Sequence, residues 1–147
     1  MTPRAETDHT ETAMRRTGGR TLGTVCLPGD AKSVPIARHW ARALLTGTGH
    51  RCLDDTLLLL SEIVTNAVLH THSGRPGGRL TVRIAETDTG LVRLAVTDEG
   101  APTIPRRRTP DADRTDGRGI YLLENLAHRW GFRRTGTYGC LWADIGA

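Results

Sequence analysis

The segment Cys52–His70 constrains the fold most, because it is a long helical pattern with polar residues set among apolar ones. It contains the longest apolar run of the chain, Leu57–Leu60, and then reads Ser-Glu-Ile-Val-Thr-Asn-Ala-Val-Leu-His. Glu62 and Asn66 are four residues apart, so they lie on one face of a helix. Three apolar residues surround this pair: Leu59, Ile63 and Ala67. Since burying a polar group without a partner costs roughly 1–3 kcal/mol, the pair lies either beside a bound partner or on a solvated face.

The remaining pattern predicts an α+β fold. Helices are expected at Ser33–Leu45, capped by Ser33, and at Ile120–Arg129, closed by Gly131. Alternating or short apolar segments predict five strands, at Thr21–Leu27, Leu80–Ala85, Leu91–Thr97, Phe132–Thr135 and Tyr138–Ile145. The order β-α-α-β-β-loop-α-β-β predicts a two-layer sandwich in which a mixed or antiparallel sheet carries helices on one face.

Size and composition favour one globular domain. The chain has 147 residues, 37% of them hydrophobic and 24% charged. Residues 1–20 are expected to form a disordered tail and residues 21–147 the domain. Three separated cysteines, Cys26, Cys52 and Cys140, favour buried thiols over a disulfide framework or a zinc site. No apolar run approaches the roughly 20 residues of a membrane helix, and the N-terminus lacks a secretory core, so we expect a cytoplasmic protein.

A second motif follows the strand Leu91–Thr97, which runs into Asp98-Glu99-Gly100. A carboxylate at a strand end can accept a hydrogen bond from an exocyclic amine. A glycine two residues later lets a flat base approach the backbone. Taken alone, the motif is equally compatible with an ordinary strand-to-turn junction.

A third motif is Asp116-Gly117-Arg118-Gly119-Ile120, before the predicted third helix. Two glycines at a helix start expose backbone N–H groups, and the helix dipole favours phosphate there. A flexible hinge with a helix cap explains the same residues. The motif lacks the third glycine of a dinucleotide fingerprint, and Lys32, the only lysine, lies in no glycine-rich loop of the P-loop type.

Taken in order, the three motifs resemble the N, G1 and G2 boxes of the GHKL ATPases, which include gyrase, Hsp-type chaperones, histidine kinases and MutL. The form Glu62-Ile-Val-Thr-Asn66-Ala-x-x-His70 is most similar to that of small bacterial anti-sigma-factor serine kinases. The resemblance covers about Leu22 to Ile145. It implies a Bergerat-type ATP-binding fold with ATP and Mg²⁺ as cofactors.

The resemblance also implies roles for single residues. Asn66 would coordinate Mg²⁺, and Glu62 would act as general base on an attacking hydroxyl. Asp98 would bind the adenine amino group, with Gly100 making room for the base. Gly117, Arg118, Gly119 and Ile120 would wrap the phosphates, with residues of about 100–117 as the ATP lid. In place of the family's threonine beside the adenine-binding aspartate stands Cys140, which would pack against the base.

Three functions stay open. An anti-sigma serine/threonine kinase would bind a sigma factor, phosphorylate an anti-anti-sigma protein of the STAS type, and often form a homodimer. A non-enzymatic regulator would use the same ATP site only to present a binding surface. A basic DNA-binding domain would suit the net charge of +4, but the arginines concentrate in the tail and lid rather than along one helix. A metal site at His70 and His72 is the less favoured interpretation of those residues.

Overall fold

The computed structural model describes residues 19–100 and 114–146, and these form five strands and three α-helices. The strands are β1 (Arg20–Pro28), β2 (Arg79–Glu86), β3 (Val92–Asp98), β4 (Arg129–Thr135) and β5 (Tyr138–Ile145). The helices are α1 (Ser33–Thr46), α2 (Leu53–His70) and α3 (Arg114–Leu126), and a 3-10 turn spans His72–Gly74. The tail predicted for residues 1–20 falls almost entirely outside the described part of the chain.

The sheet has the order β1-β2-β3-β5-β4, and every neighbouring pair is antiparallel. Residues alternate between its two faces, so Leu94 and its neighbours two residues away share one face. On that face, apolar residues from the central strands meet the helices in one core: Leu80, Val82, Ile84, Val92, Leu94, Val96, Ala143 and Ile145. The predicted α+β architecture with helices on one face is confirmed.

Helix α2 is central because most of its faces are covered. Its inner side carries Leu57, Leu60 and Val64, all at most 1% exposed. Asp54 and Asp55 in the first turn have the negative charge that suits the helix dipole. Both other helices, α1 and α3, pack against it. Polar residues on α2 that face α3 therefore lie in a confined space.

The opposite face of the sheet has a separate small cluster. Ala85, Ala95 and Cys140 are buried there, with Trp142 packed against them. Arg93 forms a buried, two-pronged ion pair with Asp144, and its guanidinium lies 4.7 Å from the centre of the Trp142 ring. Long side chains therefore cover this face locally.

Two predicted helix boundaries are wrong. Helix α3 begins at Arg114 rather than Ile120, because packing against α2 outweighs the poor helix propensity of Gly117 and Gly119. It ends at Leu126, and Gly131 lies inside β4 instead of closing the helix. Ser33 does not cap α1, because its hydroxyl donates a hydrogen bond to the Pro28 carbonyl oxygen instead.

No helix of the described residues is both long enough and apolar enough to cross a membrane.

Candidate functional site

Asn66 lies on the flank of α2 that meets α3. Within the described residues, its side-chain oxygen Oδ1 is buried and has no hydrogen-bond partner. Its other side-chain atom, Nδ2, faces Gly119, where a Cβ atom would stand only 2.4 Å away. The two helices can approach this closely only because position 119 has no side chain. A buried amide oxygen without a protein partner can accept a hydrogen bond from water or bind a ligand or cation.

Glu62 lies one helical turn before Asn66 on α2 and is half-buried. The spacing of four residues places the two side chains next to each other along the helix. A carboxylate and an amide therefore lie on the same side of α2, the relation that their spacing in the sequence predicts.

Asp98 ends β3 and is 9% exposed. Burial raises the pKa of its carboxyl to about 6, and the Gly100 N–H, the Arg134 guanidinium and the Gly139 backbone oppose that rise. The Gly100 N–H donates to Oδ1 over 2.7 Å. Asp98 is thus a buried acceptor with few fixed donors, held at the end of a central strand.

Gly100 has a backbone conformation that side chains rarely adopt, with φ of 95°. A Cβ at this position would stand 1.7 Å from the carbonyl oxygen of Thr137. The turn between β4 and β5 therefore lies directly against the turn that follows β3. Glycine is required here by conformation and by space, whether or not a ligand is bound.

A chain of hydrogen bonds ties the end of α2 to the turn that contains Asp98. Thr71 Oγ1 donates to the Ala67 carbonyl and accepts from the Ser73 N–H. The Ser73 hydroxyl, in turn, accepts from the Glu99 N–H over 3.0 Å. The His72 N–H also donates to the Gly100 carbonyl over 2.7 Å. Hydrogen bonds thereby link the helix that carries the amide to the turn after the strand that carries the carboxylate.

The glycine motif differs from its prediction. Gly117 and Gly119 lie inside α3 rather than before it. The first four N–H groups of a helix have no partner within the helix, and in α3 these groups all precede Gly119. Ile120 belongs to the core, with 6% of its surface exposed. Residues 114–117 of the predicted lid are helical, and residues 101–113 lie outside the described part of the chain, as does the side chain of Arg118.

Cys140 is not beside Asp98, which corrects the expectation that it packs against the base. The register pairs Cys140 with Thr97 and Gly139 with Asp98. Because faces alternate along a strand, Cys140 points to the side of the sheet away from the helices. It is buried there with Ala85 and Ala95. The residue facing Asp98 on β5 is therefore Gly139.

The sequence motifs do not predict four residues of this region: Ser73, Phe132, Arg134 and Gly139. Ser73 is fully buried, although nothing in its local sequence separates it from other loop serines. The other three are placed near Asp98 by strand register. The alternation Trp130, Phe132, Arg134 is visible in the sequence, but which strand pairs with β4 is not.

The oxygen atoms that these residues offer suit a magnesium ion that is also bound by phosphate. They suit a metal site built from protein side chains alone less well. Among the described residues, no group of three or more His, Cys, Asp or Glu side chains is placed to hold a metal ion. Magnesium usually takes one or two protein oxygens and completes its shell with water and phosphate oxygens. The unpartnered Oδ1 of Asn66 can supply one such oxygen, so the residues fit a phosphate-bound Mg²⁺.

Comparison with known proteins gives relatives and structural neighbours. An anti-sigma F factor of Geobacillus stearothermophilus is 33% identical over 82 residues, which cover 50% of this chain and 55% of that protein. An uncharacterised protein of Streptomyces coelicolor is 35% identical over 79 residues, covering 52% of this chain and 71% of that protein. The chain thus spans about half the length of the anti-sigma F factor that it matches.

Two solved structures share the fold. The RsbU and RsbW domains of Rv1364c from Mycobacterium tuberculosis superpose with a TM-score of 0.65 at 19% identity, covering 84% of this chain and 32% of that one. The SiaB–SiaC complex from Pseudomonas aeruginosa gives a TM-score of 0.65 at 14% identity, covering 97% of this chain and 98% of that one. At these identities the likeness concerns the fold alone.

The family is settled by a match over most of the chain. Residues 27–145 match the model of the histidine kinase-like ATPase domain. This range includes Glu62, Asn66, Asp98, Gly100 and Gly119, and it confirms the GHKL resemblance of the three motifs. Membership implies that the domain binds ATP. The chain belongs to the histidine kinase-like ATPase domain family.

Proposed function

We propose that this protein is an ATP-binding regulator that acts as an anti-sigma factor and phosphorylates a serine or threonine of an antagonist protein. The observation that carries the proposal is the buried, unpartnered Oδ1 of Asn66, a residue one helical turn from Glu62 whose other amide atom, Nδ2, lies directly against Gly119. This arrangement supports a site in which an amide oxygen without a protein partner and a carboxylate act from one side of the same helix. The match to an anti-sigma F factor over half of that protein supports the same regulatory class.

In the proposed site, the two ends of the nucleotide are held by different elements. Asp98 accepts a hydrogen bond from the adenine amino group, and Gly100 allows the tight turn whose N–H holds the Asp98 carboxylate. Asn66 contributes one oxygen to a Mg²⁺ that neutralises phosphate charge. The phosphate end lies against the N-terminal half of α3, where Gly117, Arg118 and Gly119 are candidates for phosphate contacts and Ile120 anchors the helix in the core.

Glu62 is the proposed general base. The hydroxyl oxygen of the antagonist attacks the terminal phosphorus of ATP, the bond to the bridging oxygen breaks, and ADP leaves. Glu62 takes the proton that the hydroxyl releases. Phosphoryl transfer depends mainly on positioning and charge neutralisation, and a well-placed base adds about 10²–10⁴-fold.

The test is phosphate transfer from labelled ATP to candidate antagonist proteins of the STAS type, with Glu62→Gln compared with wild type. We expect Glu62→Gln to lose at least about 100-fold in transfer rate while keeping ATP affinity. Asp54→Asn is the matched control, since it removes one carboxylate from the exposed first turn of the same helix. Equal transfer by Glu62→Gln and wild type would contradict the role of Glu62. ATP binding without transfer to any antagonist would favour the non-enzymatic regulator.

Binding of a sigma factor is tested separately, by co-purification with and without ATP. We expect a complex that depends on nucleotide. A salt-dependent shift of DNA mobility that ignores ATP would instead favour the DNA-binding alternative.

A further inference from the structure

Besides Trp130, strand β4 presents Phe132 and Arg134 to the same side of the sheet as Asp98. Phe132 pairs with Leu141, and Arg134 pairs with Gly139. Since Leu141 packs with the helix-covered core, its partner Phe132 and, two residues on, Arg134 face the helix side. Arg133, between them, faces the opposite side with Cys140.

Asp98 and Arg134 lie on opposite sides of Gly139, in one row of paired residues across strands β3, β5 and β4. Gly139 pairs with Asp98 on β3 and with Arg134 on β4. Because Gly139 has no side chain, nothing on β5 separates the guanidinium from the carboxylate at this row. The Arg134 guanidinium lowers the pKa of the Asp98 carboxyl, and Glu99, the next residue in the chain, raises it.

Phe132 reaches the same gap. A Cβ at Gly139 would stand 2.9 Å from Cζ of Phe132 and 3.1 Å from Oδ1 of Asp98. The aromatic ring and the carboxylate thus border one small space. Phe132 is the only phenylalanine of the chain and is half-buried, whereas Trp130 of the same strand packs against the main core.

We infer that β4 forms a wall of the base-binding end of the site, in which Phe132 contacts the purine ring and Arg134 positions charge on Asp98 across Gly139. This inference rests on the proposed function, since it assigns residues to the adenine end of that ATP site. Phe132 is a ligand-contacting residue in this account. Arg134 is a positioning residue, because it acts through the carboxylate that the amino group meets.

The chemistry of the two side chains suits a purine with an exocyclic amine. An aromatic ring stacks on any flat base, and loss of one stacking partner costs roughly tenfold or more in affinity. An ionised carboxylate accepts a stronger hydrogen bond from the amine than a protonated one does. A guanidinium across the glycine gap favours the ionised form over a wider pH range.

The first experiment measures the affinity of the full chain for ATP and ADP with Mg²⁺ by calorimetry. We expect Phe132→Ala to weaken both nucleotides by about tenfold, because the base is common to both, and Phe132→Tyr to restore binding. Circular dichroism checks that each variant is folded. Wild-type affinity in Phe132→Ala would overturn the inference while leaving the proposed function intact, whereas absence of ATP binding by wild type would overturn both.

A direct readout uses the single phenylalanine. Labelling with 4-fluorophenylalanine gives one fluorine resonance, from position 132. We expect this resonance to shift on adding adenosine or ATP and to stay unchanged on adding inorganic triphosphate. A resonance that does not move while calorimetry detects saturation with ATP would contradict contact between the ring and the base.

The role of Arg134 is tested against its neighbour on the same strand. Arg134→Ala and Arg133→Ala remove the same charge from opposite faces of β4. We expect the pH at which ATP affinity is half lost to rise in Arg134→Ala and to stay at the wild-type value in Arg133→Ala. Equal midpoints in all three proteins, or equal shifts in the two variants, would overturn the positioning role.

Discussion

Gly119 of α3 lies so close to Asn66 of α2 that a Cβ at position 119 would stand 2.4 Å from the side-chain nitrogen Nδ2. No side chain fits at this helix crossing without movement. The atom in the way is the end of a flexible side chain, so Asn66 can rotate aside. A side chain at 119 is therefore expected to disturb the amide more than the fold.

Gly119→Ala should weaken Mg²⁺-dependent ATP binding by at least about tenfold, because the displaced Asn66 no longer presents Oδ1 to the metal. Thermal stability should be kept, since alanine is better than glycine inside a helix by roughly 1 kcal/mol. Calorimetry and thermal denaturation measure the two effects.

The matched control is Gly47→Ala, where a Cβ would meet nothing within 4 Å and φ is −77°. Gly47→Ala should leave both ATP affinity and thermal stability unchanged. Unaltered ATP affinity in Gly119→Ala would show that the Asn66 crossing has no part in binding.

Gly100→Ala and Gly90→Ala separate backbone strain from steric contact. Both glycines have positive φ, 95° and 85°, but only at Gly100 would a Cβ meet an atom, the Thr137 carbonyl oxygen at 1.7 Å. We expect Gly90→Ala to cost about 1–2 kcal/mol of unfolding free energy, which is the strain alone. Gly100→Ala should cost clearly more, and urea denaturation of both variants measures the difference. Similar losses would mean that the Thr137 turn moves away freely.

Asp98 should make the stability of the nucleotide-free protein depend on pH. Its pKa is about 6 in the folded protein and 3.8 in the reference state, so between these values the folded chain holds a proton that the unfolded chain has lost. The contribution of Asp98 therefore falls as pH rises from about 4 to 6, by on the order of 2 kcal/mol. Urea denaturation of wild type and Asp98→Asn across this range should show the slope only in wild type. The same dependence of unfolding free energy on pH in both proteins would show that other groups cause it.

Much of the fold follows from local pattern. The core helix around Glu62 and Asn66 was predicted within one residue of its observed start, because its apolar residues repeat at helical spacing over five turns. Strand β5 was predicted with its observed bounds, Tyr138–Ile145. Helix α3 was predicted to start six residues late, since two glycines mask a helix that tertiary packing stabilises.

The site was only partly predictable, because its residues meet through strand register. Asn66 and Asp98 belong to recognisable local motifs. The family resemblance predicts Cys140 at the site, but alternation of faces turns it away and leaves Gly139 opposite Asp98. Phe132 and Arg134 reach Asp98 only because β4 pairs with β5 and β5 with β3, an order that sequence spacing does not encode.

The most direct test of the account is calorimetric titration of the purified chain with ATP, in the presence of Mg²⁺ and with the metal chelated. We predict binding by wild type that weakens when Mg²⁺ is removed, loss of this metal dependence in Asn66→Ala, and weaker binding by Asp98→Asn under both conditions. Wild-type protein that ignores ATP, or an Asn66→Ala variant that keeps the full response to Mg²⁺, would contradict the account.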